Sequence, residues 1–223
     1  MRTWSFSSLN TYTTCPRQYH LTYNAKVIPY AETEATLWGS RVHEALENYA
    51  KHGTPLADPY EQFKPFADQV LLLPGEKFFE RQFALTRNLQ PTLFDDPDAW
   101  CRGVIDVGVV DGERALVADY KTGKIRADSD QLKLFAAFIM HTYPGVNSVK
   151  TAYAWLAHNK VTAETYRRSD LPDIWKHFLT KVSRLEQSYE KDRWVPRPSG
   201  LCAGWCGASK EHCEYWTPRK EKL

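Results

Sequence analysis

Two short hydrophobic runs joined by an Asp-Gly turn constrain the fold of this chain more than any other feature. The runs are GVIDVGV at residues 103–109 and ALVADYK at residues 115–121, and the turn is Asp111-Gly112. β-Branched residues on both sides of an Asp-Gly pair are typical of a β-hairpin. The sequence therefore predicts two adjacent antiparallel strands in the middle of the chain.

Three charged residues lie inside these strands. A turn at Asp111-Gly112 places Asp106 opposite Asp119, with Cβ atoms about 5 Å apart. A carboxylate buried without a partner costs several kcal/mol, and two such groups repel, so a divalent cation between them is a natural partner. Alternation along the strands could instead turn either acid toward water. Lys121 lies two residues after Asp119 and shares its face, where its charge could orient water or stabilise a transition state.

The order of the other patterns predicts an α/β fold with a central mixed β-sheet flanked by helices. Pro16 should interrupt the first helix just after Cys15, and Gly53 should end the second. A cap at Ser7 or Ser8 and another at Asp128 or Ser129 are expected. The predicted helices cover about 7–23, 36–52, 57–72, 129–140 and 171–192, and the predicted strands about 77–86, 99–111, 114–122, 148–159 and 162–169.

The length of 223 residues fits a single domain. We expect an N-terminal helical part at 1–75, a sheet core at 76–168, a long helix at 169–195 and an irregular tail at 196–223 that is joined to the N-terminal helix. No run approaches about 18 apolar residues, so no membrane span is expected. The first ten residues lack the apolar segment of a secretory leader, which favours the cytoplasm. The net charge of +2 means that any basic surface is local.

The motif GVID, followed beyond the hairpin by DYKTG, resembles the Asp…Asp-x-Lys core of the PD-(D/E)XK nuclease superfamily. Within it, the chain is similar to the RecB-like branch, which also holds the Cas4 and AddB nuclease domains. Further pieces resemble the N-terminal Cys-Pro helix, the histidine motif, the Gln-x-x-x-Tyr motif and the C-terminal cysteine cluster of that branch. They are SFSSLNTYTTCPRQY from Ser5, LWGSRVHEAL from Leu37, QLKLF from Gln131 and CAGWCGASKEHC from Cys202.

The resemblance implies a restriction-endonuclease-like core and a DNA nuclease, most often an exonuclease, that acts in DNA processing, recombination or repair in a bacterial or phage-infected cell. It also implies one or two Mg²⁺ or Mn²⁺ ions, held by His43, Asp106, Asp119 and the Tyr120 carbonyl. Lys121 would be the catalytic lysine, acting with Asp119 and Asp106. Taken alone, a histidine on an amphipathic helix is more often a packed core residue, and only the downstream Asp…Asp-x-Lys pattern favours the ligand.

DNA is the expected partner, as single strands or as the ends of duplexes. No Gly-x-x-x-x-Gly-Lys-Ser/Thr motif is present, so any unwinding would come from a separate helicase or recombination protein. Phe135 replaces the family's tyrosine, and Gln131 is expected to contact either DNA or the active-site loop. Glu80 is another candidate acid near the metal ions, although a solvent-facing position on its strand explains it better. Four residues are expected to contact DNA: Gln131, Tyr19, Arg17 and Lys124. For Tyr19, Arg17 and Lys124, a position on a solvated surface is an equally good explanation.

Three of the five cysteines lie within twelve residues near the C-terminus. Together with Cys15, they could supply four thiolates, which suit either Zn²⁺ or a [4Fe–4S] cluster. The resemblance implies the iron–sulfur cluster, with Cys15 as the distant fourth ligand, although each gap between Cys202, Cys206 and Cys213 is one residue longer than usual for that branch. Cys101 is expected to be a small buried side chain. The alternative function is a catalytically inactive DNA-binding or scaffolding module with a structural metal cluster.

Overall fold

The computed structural model describes residues 2–28, 32–127 and 129–218. Contacts within the chain group into two compact units. The first is built from the residues up to Thr3 and from Thr33–Ile174, and the second from Trp4–Glu32 and from Trp175 onward. The division of the chain into functional parts that the sequence predicts stays a prediction.

Helices and strands follow the predicted order. The helices are α1 Phe6–Thr14, α2 Pro16–Tyr19, α3 Glu34–His52, α4 Lys64–Leu71, α5 Asp130–Thr142 and α6 Leu171–Glu190. The strands are β1 Glu76–Leu85, β2 Pro91–Thr92, β3 Cys101–Asp111, β4 Arg114–Lys121, β5 Ser148–Trp155 and β6 Lys160–Arg167. Shorter helical turns lie at His20–Asn24, Glu61–Phe63, Leu156–His158, Arg168–Asp170 and Gly200–Cys202.

The strands of the first unit form one mixed sheet in the order β2-β1-β3-β4-β5-β6. Only β4 and β5 pair in parallel, and α5 supplies the crossover that a parallel pair requires. The hairpin is as predicted: Asp111 pairs with Arg114, and Gly112 adopts a left-handed φ of +54°. The predicted α/β class with a mixed sheet is therefore confirmed.

Two groups of helices cover this sheet. Val42 and Leu46 of α3 belong to one hydrophobic cluster with α4 and with side chains of β3, β4 and β5. Helix α5 is buried along almost its whole length, including Phe135 and Phe138. It begins after Ser129, whose side chain makes no cap, and Asp128 lies outside the described residues. The sheet is thus covered by two separate groups of helices, and the end of β4 meets both, because His43 of α3 contacts Tyr120 and Gln131 of α5 contacts Asp119.

Side chains along β1 alternate between the two faces of the sheet, and this alternation reverses at Glu80. This residue has a φ of +44°, and it forms no ladder pair with Asp106, although β1 and β3 pair on both sides of this point. Phe78 and Phe83 are five residues apart and would lie on opposite faces of a regular strand. Their rings nevertheless pack together with centroids 5.5 Å apart. The break therefore turns the chain over and leaves Glu80 and Asp106 outside the ladder.

The second unit begins with α1, whose cap is Ser5 and not Ser7 or Ser8. The Ser5 side chain accepts the Ser8 N–H, and the Ser8 hydroxyl reciprocates in a capping box. Cys15 is extended and α2 starts at Pro16, so the predicted interruption at this proline is confirmed. No helix among the described residues is both long enough and apolar enough to cross a membrane.

Candidate active site

His43 projects from α3 onto the end of β4. Its Nε2 atom lies 2.8 Å from the carbonyl oxygen of Tyr120, and its Nδ1 atom lies 3.4 Å from Asp106 Oδ2. Gly39 lies one helical turn before His43, and a Cβ atom at that position would be 3.3 Å from the Thr122 hydroxyl. The glycine allows α3 to approach the chain just after β4. His43 therefore occupies a polar site at the end of β4, beside the middle of β3, and not an apolar position in the core.

The surroundings of His43 favour its positively charged form. Burial alone lowers the pKa of this imidazole, but the hydrogen bonds to Asp106 and Glu80 and the charges of Asp106 and Asp119 outweigh it and raise the pKa to about 10. Both ring nitrogens face acceptors. In the absence of a cation, His43 therefore supplies the positive charge that this group of carboxylates needs.

Asp106 and Asp119 are both buried, with 9% and 3% of their surfaces exposed. The Tyr120 N–H donates to Asp106 Oδ2 at 2.6 Å, and Asp119 Oδ2 forms an ion pair with Lys121 Nζ at 2.5 Å. Burial, followed by the charge of Asp106, raises the pKa of Asp119, while the charges of Lys121 and His43 oppose this rise. The two acids thus lie near enough to repel each other, as the hairpin register predicts.

Gln131 of α5 bridges the acid and the lysine. Its Nε2 atom donates to Asp119 Oδ1 at 2.9 Å, and its Oε1 atom accepts from Lys121 Nζ at 3.1 Å. The same ammonium group lies 5.3 Å from the centroid of the Tyr153 ring. From the sequence, Gln131 is expected to contact either DNA or the active-site loop. In the structure its amide lies beside Asp119 and Lys121 at the end of β4. Phe135, one turn further along α5, is 2% exposed and belongs to the core.

Glu80 is the member of this site that the sequence interpretation assigned to solvent. Its Oε1 atom lies 3.7 Å from His43 Nδ1, and its side chain is 28% exposed. His43, Glu80 and Asp106 form the only group of three metal-ligating side chains among the described residues with ligand atoms within 4.8 Å of one another. The structure favours the alternative of an acid near the metal site, because the left-handed backbone at Glu80 turns its carboxylate toward His43. The one available signal was a charge in the centre of the apolar run FFERQF.

These donors fit a divalent cation. Asp106 Oδ1 accepts no hydrogen bond from any described residue, and the buried Asp119 Oδ2 accepts none either, although it is paired with Lys121. Carboxylate and carbonyl oxygens with one imidazole nitrogen are a ligand set that suits Mg²⁺ or Mn²⁺. Two buried acids with unused lone pairs are what such an ion requires.

The family model for the PD-(D/E)XK nuclease superfamily matches residues 3–217. The chain belongs to this superfamily. The match spans both units, and nucleases of this superfamily usually use divalent metal ions, in agreement with the donor set at His43, Glu80 and Asp106.

Solved structures are similar in fold to this superfamily member. A crystal structure named "Putative exonuclease" from Eubacterium rectale has a TM-score of 0.56 and 12% identity, over 91% of this chain and 86% of that chain. The crystal structure of SSO0001 has a TM-score of 0.49 and 14% identity, over 93% of this chain and 84% of that chain. No curated protein matches the sequence.

The remaining residues expected to hold DNA are distributed over both units of the nuclease. Lys124 is exposed in the segment after β4, which leaves it available to a phosphate. Within the second unit, the Arg17 Nε–H donates to the Trp194 carbonyl at 3.1 Å. Tyr19 is 2% exposed, and its hydroxyl lies 3.0 Å from that of Tyr189. The Tyr19 ring therefore has no surface from which to contact a phosphate.

Four cysteines of the second unit line one pocket, here called the cysteine pocket. They are Cys15, Cys202, Cys206 and Cys213. The backbone N–H groups of Arg197 and Ser199 donate to the sulfurs of Cys15 and Cys202 at 3.3 and 3.4 Å. Burial and the nearby thiol groups of the other three raise the pKa of Cys206, whereas an N–H from Ala208 lowers it. Cys101 is fully buried in β3, as expected.

Proposed function

We propose that this chain is a Mg²⁺- or Mn²⁺-dependent deoxyribonuclease of the RecB-like and Cas4-like branch, which removes nucleotides from DNA as an exonuclease. The observation that carries the proposal is the convergence of His43, Asp106 and the Tyr120 carbonyl beside the Asp119–Lys121 pair. Membership of the superfamily supports hydrolysis of phosphodiester bonds.

In this proposal, His43 Nε2, the Tyr120 carbonyl and the carboxylates of Asp106 and Asp119 hold one or two ions. A divalent ion there supplies Lewis-acid polarisation of a phosphate oxygen. Asp119 and Gln131 fix the ammonium group of Lys121 at the edge of the site. From this position Lys121 donates a hydrogen bond to the attacking water and stabilises the negative charge that accumulates on the phosphate.

The burial of the two acids strengthens this arrangement. Asp119 is 3% exposed, so its attraction for Lys121 is poorly screened by solvent. The Tyr120 N–H fixes Asp106 Oδ2 and leaves Oδ1 directed elsewhere. Each carboxylate is therefore oriented before a substrate arrives, which is the condition for electrostatic stabilisation without reorganisation.

For the cysteine pocket we propose a [4Fe–4S] cluster and not Zn²⁺. Four thiolates around a zinc ion have sulfurs about 3.8 Å apart, given Zn–S bonds of about 2.3 Å. Among the described residues, no three cysteine sulfurs lie within 4.8 Å of one another. The two N–H···S contacts favour a cluster, which would fasten the tail to the first helices of the same unit.

The substrate proposed is DNA, as single strands or duplex ends, in processing, recombination or repair. Exposed Lys124 would contact the phosphate backbone, and unwinding would require a separate helicase or recombination protein.

The test is digestion of end-labelled single- and double-stranded DNA with Mg²⁺ or Mn²⁺, which reports activity, polarity and strand preference together. Cleavage should require the ion and disappear in Asp119→Ala and Lys121→Met. Lys133→Met, which removes a partly exposed lysine of α5 paired with Asp130, is the matched control and should cut normally. Binding of DNA without cleavage would refute the enzyme and favour the inactive DNA-binding module.

A further inference from the structure

Glu80 occupies a backbone conformation that its residue type disfavours. Its φ of +44° lies in the left-handed region, in the middle of a ten-residue strand. Residues other than glycine adopt this region rarely, and such outliers concentrate at functional sites. The break in the β1–β3 ladder at Glu80 also faces Asp106, which is buried. The distortion therefore lies beside the proposed metal site.

The two nitrogens of His43 face different partners. Nε2 faces the Tyr120 carbonyl, which is itself a proposed ligand, at 2.8 Å. Nδ1 faces two carboxylates, Asp106 Oδ2 at 3.4 Å and Glu80 Oε1 at 3.7 Å. A metal-ligating histidine usually donates its other ring N–H to a carboxylate, which fixes its tautomer and orientation. With Nε2, which faces the Tyr120 carbonyl, as the nitrogen that binds the ion, Nδ1 is left to carry the proton toward the two carboxylates.

Asp106 cannot equally well bind the ion and accept the Nδ1–H of His43. Its Oδ2 already accepts the Tyr120 N–H, and the proposed ion draws on the same carboxylate. Among the described residues, Glu80 is then the remaining carboxylate paired with the His43 ring. Resting on the proposed metal-dependent function, we propose that Glu80 is a positioning residue: its carboxylate accepts the Nδ1–H of His43 and so directs the Nε2 lone pair at the ion.

This role differs from direct ligation and from a purely structural role. A ligand would bind the ion whether or not His43 were present. A structural residue at a left-handed position would be replaced by glycine with no loss of ion binding. A positioning residue acts through His43 alone, so its effect must vanish when the imidazole is removed.

The first measurement is Mn²⁺ binding to the full chain without DNA, followed by electron paramagnetic resonance of the free ion. Glu80→Gln should raise the Mn²⁺ dissociation constant about 10- to 100-fold, the usual effect of losing a carboxylate behind a ligating histidine. Glu76→Gln removes a more exposed glutamate, 63% exposed, from the same strand and should bind as the unmodified chain does. Equal binding by Glu80→Gln and the unmodified chain would overturn the inference.

The second measurement is a double-mutant cycle with His43→Ala. His43→Ala and His43→Ala/Glu80→Gln should bind Mn²⁺ equally weakly. A further loss in the double variant would mean that Glu80 contacts the ion itself and would overturn the positioning role. Failure of the unmodified chain to bind Mn²⁺ would overturn the proposed metal site together with this inference. Weak binding by His43→Ala alone, with normal binding by Glu80→Gln, would overturn the inference and leave the metal site intact.

The Glu80→Gly variant distinguishes the effect of the left-handed backbone on ion binding from the effect of the carboxylate. Glycine adopts a positive φ without strain, so the thermal midpoint of this variant should equal or exceed that of the unmodified chain. Its Mn²⁺ affinity should fall at least as far as that of Glu80→Gln. A folded glycine variant that keeps full affinity would show that the distortion alone matters, and the positioning role would be refuted.

Discussion

Replacement of Gln131 by leucine should destabilise the chain because it removes the side-chain amide that donates a hydrogen bond to Asp119. In the structure Gln131 donates to Asp119 Oδ1 at 2.9 Å and accepts from Lys121 at 3.1 Å. Leucine is of similar size, so little is lost in packing, but Oδ1 of the buried Asp119 carboxylate loses the donor that the described residues give it. Such a loss costs about 1–3 kcal/mol, more when the acceptor is charged. Since Lys121 still pairs with Asp119, we expect about 2 kcal/mol, or a fall of about 4–8 °C in thermal midpoint for a chain of this size.

The assay is urea unfolding followed by circular dichroism, together with a thermal scan in chelator so that no ion contributes. Lys133→Met removes a partly exposed lysine of the same helix, paired with Asp130, and should shift stability by less than about 0.5 kcal/mol. Gln131→Glu should be worse than leucine at neutral pH, because it places a second carboxylate beside Asp119, and it should recover as the pH falls. A Gln131→Leu variant as stable as the lysine control would refute the reasoning.

Three further outcomes follow from the geometry. Gly108→Ala places a methyl group against the Phe78 ring and should cost about 1–3 kcal/mol in urea unfolding, part of which Phe78→Leu should restore. If the cysteine pocket holds the proposed [4Fe–4S] cluster, Cys206→Ser should remove the visible absorbance of that cluster, whereas Cys101→Ser should retain it, because Cys101 is buried in β3. Mn²⁺ at about 100 times its dissociation constant should stabilise the unmodified chain by about 2.7 kcal/mol, and Asp119→Asn should show no such gain.

Much of the fold can be read from the sequence because its signals are local. An Asp-Gly pair between β-branched runs fixes the hairpin, since the turn determines the register of both strands. Pro16 ends α1 for the equally local reason that its ring cannot continue a helix. The cap at Ser5 was predicted two to three residues too late because several serines compete at that end and only the backbone selects one.

For the candidate site too, local signals can be predicted from the sequence and tertiary contacts cannot. Asp106, Asp119 and Lys121 can be placed together because hairpin register relates them, and the structure brings them together. His43 comes from a distant helix, so its own pattern favours a core position, and only the Asp…Asp-x-Lys pattern elsewhere in the chain makes it a ligand candidate. Gln131 is placed beside Lys121 by the crossover of α5, whose packing on the sheet is a tertiary property.

Glu80 shows why sequence reasoning can name the last member of the site as a candidate and still prefer a solvent-facing position for it. A chain that needs a left-handed bend usually signals it with glycine or asparagine, and β1 has neither at this point. Local consistency is normally violated where function demands it. If the bend served packing alone, glycine would provide it without the strain that glutamate carries there. The retained carboxylate, 3.7 Å from His43, therefore indicates that the side chain is used, and the left-handed backbone is what brings it to the imidazole.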